Sequence, residues 1–162
     1  MKMKMLAAAA LVAGGAGAAQ ASIKVYNFAL EGVQEVPAVN TTAFGSATVT
    51  LDTVSGAVSV NATYNGLLGT VTASHIHGLA GPGVNAGVIV TLSPSGGTTG
   101  TVTGNGVLNP TQIQGMLDGL CYVNVHSTFK PGGEIRGQVV PAPASLAMAG
   151  FAGLAGARRR RR

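Results

Sequence analysis

Ala47-Thr-Val-Thr-Leu-Asp-Thr-Val-Ser-Gly-Ala-Val-Ser-Val-Asn-Ala-Thr-Tyr-Asn-Gly66 decides the fold class. Ala47, Val49 and Leu51 alternate with Thr48, Thr50 and Asp52. After the turn Asp52–Gly56, Val58, Val60, Ala62 and Tyr64 alternate with Ser59, Asn61 and Thr63. A period of two puts each apolar set on one face of a strand. Two such strands around a short Gly-containing turn predict a β-hairpin. Asn65-Gly66 ends the unit with a dipeptide suited to positive φ.

The same alternation extends outward. Tyr26, Phe28 and Leu30 share a face of a first strand, and Val88, Val90 and Leu92 mark another. Cys121, Val123 and Val125 oppose Tyr122, Asn124 and His126. Lys130-Pro-Gly-Gly133 suits a turn, with Pro fixing φ and Gly accepting a positive one. A final strand follows, with Ile135, Gly137 and Val139 on one face and Glu134, Arg136 and Gln138 on the other. One segment has helical spacing: Ile113, Met116, Leu117 and Leu120 follow Asn109-Pro-Thr-Gln112, which reads as a capped start with Pro at the first position. The expectation is a mainly β, immunoglobulin-like antiparallel sandwich or barrel over residues 22–140, with one short helix packed across an open end.

Composition narrows the function classes. The chain has 162 residues and a net charge of +5. That charge is terminal, in Lys2, Lys4 and Arg158 to Arg162. The remainder has three Lys/Arg against five Asp/Glu, so no basic face is available for nucleic acid. Cys121 is the sole cysteine, which rules out an intramolecular disulfide and suits a small buried hydrophobe. No phosphate loop, nucleophile elbow or metalloprotease helix is present. No residue is assigned as catalytic or as binding an organic cofactor. Glu31 and Glu35 flank a loop without forming a paired acid/base set. Glu134 and Arg136 read as an exposed ion pair or, if partly buried, as Arg136 orienting a loop carbonyl or Glu134.

Both ends read as delivery signals. Lys2 and Lys4 precede an apolar run and then Ala19-Gln-Ala21, the layout of a secretory signal peptide over residues 1–21 with a mature start near Ser22. Residues 144–157 are free of charge but shorter than the roughly 17–25 residues a spanning helix needs. Arg158 to Arg162 would hold their end in the cytoplasm, which makes 144–157 a transient membrane tether. Residues 141–162 resemble a PEP-CTERM sorting signal, cleaved by an exosortase in Gram-negative bacteria that form exopolysaccharide. Ala142 stands where that pattern has Glu. A permanent anchor is the alternative.

His75, His77 and His126 are the only histidines. In a strand, His75 and His77 project from one face about 6–7 Å apart, close enough to converge on one ion. With His126 they form a candidate mononuclear copper or zinc site. The opposing reading has all three rings hydrogen-bonded at a sheet end.

Six blocks resemble the CHRD domain, the module named after chordin: Glu31-Gly-Val-Gln-Glu-Val-Pro37, Ala47–Asp52, Tyr64-Asn-Gly-Leu67, His75-Ile-His-Gly78, Tyr122-Val-Asn-Val-His126 and Pro131-Gly-Gly-Glu-Ile-Arg-Gly-Gln138. The resemblance implies an immunoglobulin-like barrel distantly similar to copper/zinc superoxide dismutases, without an established activity. By that similarity His75 and His77 match the dismutase copper pair and His126 a later copper histidine. With no fourth histidine and no second cysteine, a two-metal dismutase is excluded. The resulting expectation is a non-enzymatic binding or structural protein of the cell surface or extracellular matrix, with exosortase-type machinery and a matrix polysaccharide or protein as partners. The alternative is a three-histidine copper or zinc protein with redox chemistry.

Overall fold

The computed structural model describes residues 22–140; the signal-peptide and sorting-tail readings, residues 1–21 and 141–162, lie outside the described residues. Eight antiparallel strands close into a barrel: β1 (Ile23–Glu31), β2 (Phe44–Asp52), β3 (Ala57–Asn65), β4 (Val71–Gly78), β5 (Val88–Gly96), β6 (Gly100–Val107), β7 (Cys121–Ser127) and β8 (Ile135–Gln138). Around the barrel the order is β1-β2-β3-β6-β5-β4-β7-β8, so the chain skips past two strand positions between β3 and β4. Pairing of Glu31 with Arg136 closes the ring. Closure leaves no open sheet edge to template pairing with another chain.

The deciding hairpin forms, and its register pairs like faces. Ala47 pairs with Ala62, Val49 with Val60 and Leu51 with Val58. Asp52 organises the turn, its Oδ1 accepting from Val54 N at 2.9 Å, while its carbonyl accepts from Gly56 N at 2.9 Å. Gly56 has φ +74°, a conformation a side chain would strain. The inward residues of both strands join Tyr26, Leu30, Ile76, Leu92, Val102, Val123, Val125 and Ile135 in the core. Cys121 is buried there as expected, and desolvation pushes its thiol up to about 11.

The helix α1 (Pro110–Leu117) starts with the reciprocal cap read from the sequence. Asn109 Oδ1 accepts from Gln112 N at 2.9 Å and Gln112 Oε1 from Asn109 N at 3.0 Å. Met116 is fully buried in the core. A further single 3-10 turn spans Gly32–Gln34.

β6 was not expected. Its inward positions are Val102, Gly104 and Gly106, so the apolar alternation is missing from the sequence. The reason is steric: a Cβ at Gly104 would stand 2.6 Å from Leu92 Cδ2, and one at Gly106 would stand 2.9 Å from Val90 Cγ2. Neighbouring side chains fill the interior that β6 leaves open.

The outward faces differ around the barrel. On β2, β3 and β6 they are exposed or half-buried, but β7 and β8 are buried on both faces. Segments 32–43, 79–87 and 128–134 supply the residues that bond to the outer positions of β7 and β8.

Candidate metal centre

β4 and β7 are neighbours, and their register places His75 beside Asn124 and Ala73 beside His126. All three histidines therefore reach the outer face. One ring nitrogen from each lies within 4.8 Å of the others. The ring centroids of His75 and His77 are 5.4 Å apart, and those of His75 and His126 are 4.9 Å apart. The sequence placed these three residues together, and the barrel does so.

Hydrogen bonds fix which nitrogens carry protons. His126 Nδ1 is 2.7 Å from Pro131 O, and His77 Nδ1 is 2.8 Å from Ala86 O. A carbonyl only accepts, so both rings donate from Nδ1, and in the neutral ring Nε2 then carries the lone pair. His75 Nδ1 lies 3.0 Å from His126 Nε2 and donates to it. His77 Nε2 is buried with no hydrogen-bond partner among the described residues. Desolvation and the neighbouring imidazoles hold His75 below the ordinary histidine range. Desolvation also lowers His77, against the raising effect of its bond to Ala86. Neutral rings are the form that can coordinate a metal.

A stack supports His77. Its ring lies parallel to Tyr122, 3° between planes and 4.8 Å between centroids. The Arg136 guanidinium carbon stands 3.3 Å from the Tyr122 ring centroid, a cation–π contact. Arg136 donates to Val84 O at 3.0 Å, to Asn85 Oδ1 at 3.3 Å and to Gln138 Oε1 at 3.2 Å. Tyr122 OH accepts from Ala86 N at 3.1 Å. Arg136 and Tyr122 thus pin the loop that presents Ala86 O to His77.

These contacts correct the reading of Glu134 and Arg136 as an exposed pair on one face. Both are buried, at 0% and 1% exposure. Arg136 orients a loop carbonyl, one of the two roles considered, but not Glu134. The Glu134 carboxylate instead accepts from Thr41 Oγ1 at 2.8 Å, from Leu68 N at 2.7 Å and from Ser127 Oγ. It joins the β7–β8 turn to two other loops.

Glu31 and Glu35 also part company. Glu31 is exposed, whereas Glu35 is buried beside Asn124 and Gly133, with Arg136 near. Desolvation pushes Glu35 up to about 7, moderated by the Arg136 charge, the Val36 amide and Asn124. Glu35 Oε1 and Asn124 Oδ1, like His77 Nε2, are buried without hydrogen-bond partners. Buried polar atoms are rarely left unpaired, and three in one region mark a place built for more than packing.

Sequence reasoning missed the supporting roles of Tyr122, Asn124 and the carbonyls of Ala86 and Pro131. A signal was present. The outward positions of β7 and β8 carry Tyr, Asn, His, Arg and Gln, whereas those of β2 and β3 carry mainly Ser, Thr and Asn.

No curated protein and no solved structure gives a significant match to this chain. The CHRD domain model matches residues 26–139, nearly the whole barrel, and the chain belongs to the CHRD domain family.

Proposed function

We propose that this protein is an exported CHRD module carrying a mononuclear zinc or copper site on the outer face of its barrel, with His75 Nδ1, His77 Nε2 and His126 Nε2 as ligands. The observation that carries this reading is the preset tautomers. Two rings are locked with Nδ1–H on carbonyls, and the buried Nε2 of His77 has no other partner. Carbonyl bonds of this kind orient metal-ligating histidines generally. Three ligands at about 2.0–2.1 Å from one ion lie within about 4.2 Å of each other. The set, within 4.8 Å, therefore has to draw in by about half an ångström.

His75 would have to move its proton to Nε2 to present Nδ1, which breaks its bond to His126 and frees both lone pairs for one ion. Three neutral imidazoles suit zinc or copper rather than magnesium or calcium. A bound ion would supply a Lewis-acid centre or, for copper, a one-electron couple.

CHRD domains are typically extracellular or exported, and among the described residues no helix is long and apolar enough to cross a membrane. Within this reading residues 1–21 direct export. Residues 141–162, with their apolar run and five arginines, act as the exosortase-type sorting signal that delivers the barrel to the surface or matrix of a Gram-negative cell.

Native mass spectrometry of untagged protein recovered from the cell surface after growth with zinc or copper tests both halves. One ion per wild-type chain, lost in His77→Ala, is expected, together with a mass lacking the tail. No ion on wild type, or an ion kept by both His77→Ala and His126→Ala, overturns the metal site. A surface form retaining all five arginines overturns the sorting reading.

A further inference from the structure

The opposite side of the barrel carries a second feature, unrelated to the histidines. A groove of about 520 Å³ at the Phe44 end of β2, β3 and β6 continues into another of about 360 Å³. Ser46, Thr63 and Thr101 line both. Strand register explains the lining. Ser46, Thr63, Thr101 and Ser95 form one row across four strands, and Thr48, Asn61, Thr103 and Ser93 form the next. Each is a hydroxyl or an amide.

Ser46 and Thr63 share a hydrogen bond at 3.2 Å, and Thr48 donates to Asn27 at 2.7 Å. Asn61, Asn65, Thr101 and Thr103 face solvent. Among the described residues, no Asp, Glu, Lys, Arg or His lines either depression. At one end Phe44 stands 61% exposed, and Gly45, Tyr64 and Gly100 line the groove with the hydroxyls, so its floor mixes polar groups with carbon surface.

The chemistry of this lining selects its ligand. An anionic polymer would find no cation, and a cationic one no carboxylate. A protein partner would look for an apolar anchor cluster, and the groove offers one exposed ring, Tyr64 being buried beneath it. A neutral polyhydroxylated chain fits each feature. Hydroxyls and amides exchange hydrogen bonds with its hydroxyls, an aromatic face covers the C–H face of one sugar ring, and an open groove accepts a polymer without an end. The volumes fall within the range of small-molecule sites. We infer that the outer face of β2, β3 and β6 binds a neutral polysaccharide, seated along the Ser46–Thr63–Thr101 row and against Phe44.

Affinity electrophoresis of the full chain tests this in native gels containing dextran, hydroxyethyl cellulose or galactomannan, with alginate and plain gels alongside. Wild type should be retarded by at least one neutral polymer, whereas any retardation in alginate, which Arg158 to Arg162 invite, should be the same in both groove variants. Phe44→Ala and Thr101→Glu should each raise the apparent dissociation constant about tenfold. His77→Ala should leave it unchanged, which separates this face from the proposed metal centre. Both groove residues are exposed, and circular dichroism with thermal melting confirms that the variants fold. The proposal is overturned by no retardation in any neutral gel, by retardation that survives both groove variants, by retardation in alginate alone, or by a concentration-dependent dimer that Phe44→Ala abolishes.

Discussion

The outer faces of β2-β3-β6 and of β4-β7-β8 begin from the same rule, one residue in and one residue out, and end in different environments. On the first, Thr48, Asn61 and Thr103 meet solvent or are only half-covered, and the row they form is uncharged. On the second, Tyr122, Asn124, Arg136 and Gln138 are as buried as the core, and three imidazoles converge. What separates them is cover by chain segments. Alternation says which way a side chain points; it does not say whether anything lies on top of it. A face that gains a lid can hold unpaired lone pairs, stacked charges and shifted titrations that an open face cannot.

The sharpest way to break this comparison is Arg136→Met. The substitution removes three hydrogen bonds and the stack on Tyr122, all of them made by one buried cation beneath the 79–87 segment. A loss of about 2–4 kcal/mol is expected in urea unfolding, the range for disrupting a buried polar network. A loss below about 0.5 kcal/mol, the level of an ordinary surface substitution, would mean that the lid does not depend on Arg136.

The barrel itself was legible because its inward residues are mainly Val, Leu, Ala and Tyr at period two in β1, β2, β3 and β7. The helix start was legible because Asn109 and Gln112 cap each other over three residues, a local interaction. β6 was hidden because Gly104 and Gly106 replace the inward apolars and Leu92 and Val90 fill the space from the next strand. Of the site, the histidines were readable as a set from residue type and spacing. Their tautomers depend on Pro131 O and Ala86 O, and the Glu35–Asn124 neighbourhood joins residues 89 positions apart. Such partners are set by the closed topology, which no local pattern encodes.

A second test sharpens the contrast through pH. Glu35 is pushed up from 4.5 to about 7 in the fold, with the Arg136 charge facing it. A raised carboxyl means the folded state holds the proton longer, so its stabilisation is full below about 4.5 and is lost as pH rises through 7. His75 and His77 act with the opposite sign. Their lowered values mean the unfolded chain takes protons first, so stability falls as pH drops below about 6.5. Glu35→Gln should therefore flatten the alkaline limb of the metal-free protein's stability profile, by on the order of 1–3 kcal/mol at pH 8. The acidic limb should remain. Equal slopes in both proteins from pH 5 to 8 would show that this carboxyl is solvated in solution.

The smallest effect belongs to the open face. Thr103 stands exposed between Asn61 and Ser93, and its methyl and hydroxyl bury little against either. Thr103→Val keeps the β-branch and strand propensity and removes only a hydroxyl that water already satisfies. Its unfolding free energy should stay within about 0.5 kcal/mol of wild type. That neutrality is what makes the hydroxyl grid informative: stability does not require Ser, Thr and Asn at these positions, since a closed barrel has no edge to protect. A loss above about 1 kcal/mol would show instead that the rows hold the strands together by cross-strand pairing, and their composition would then follow from folding rather than from what they contact.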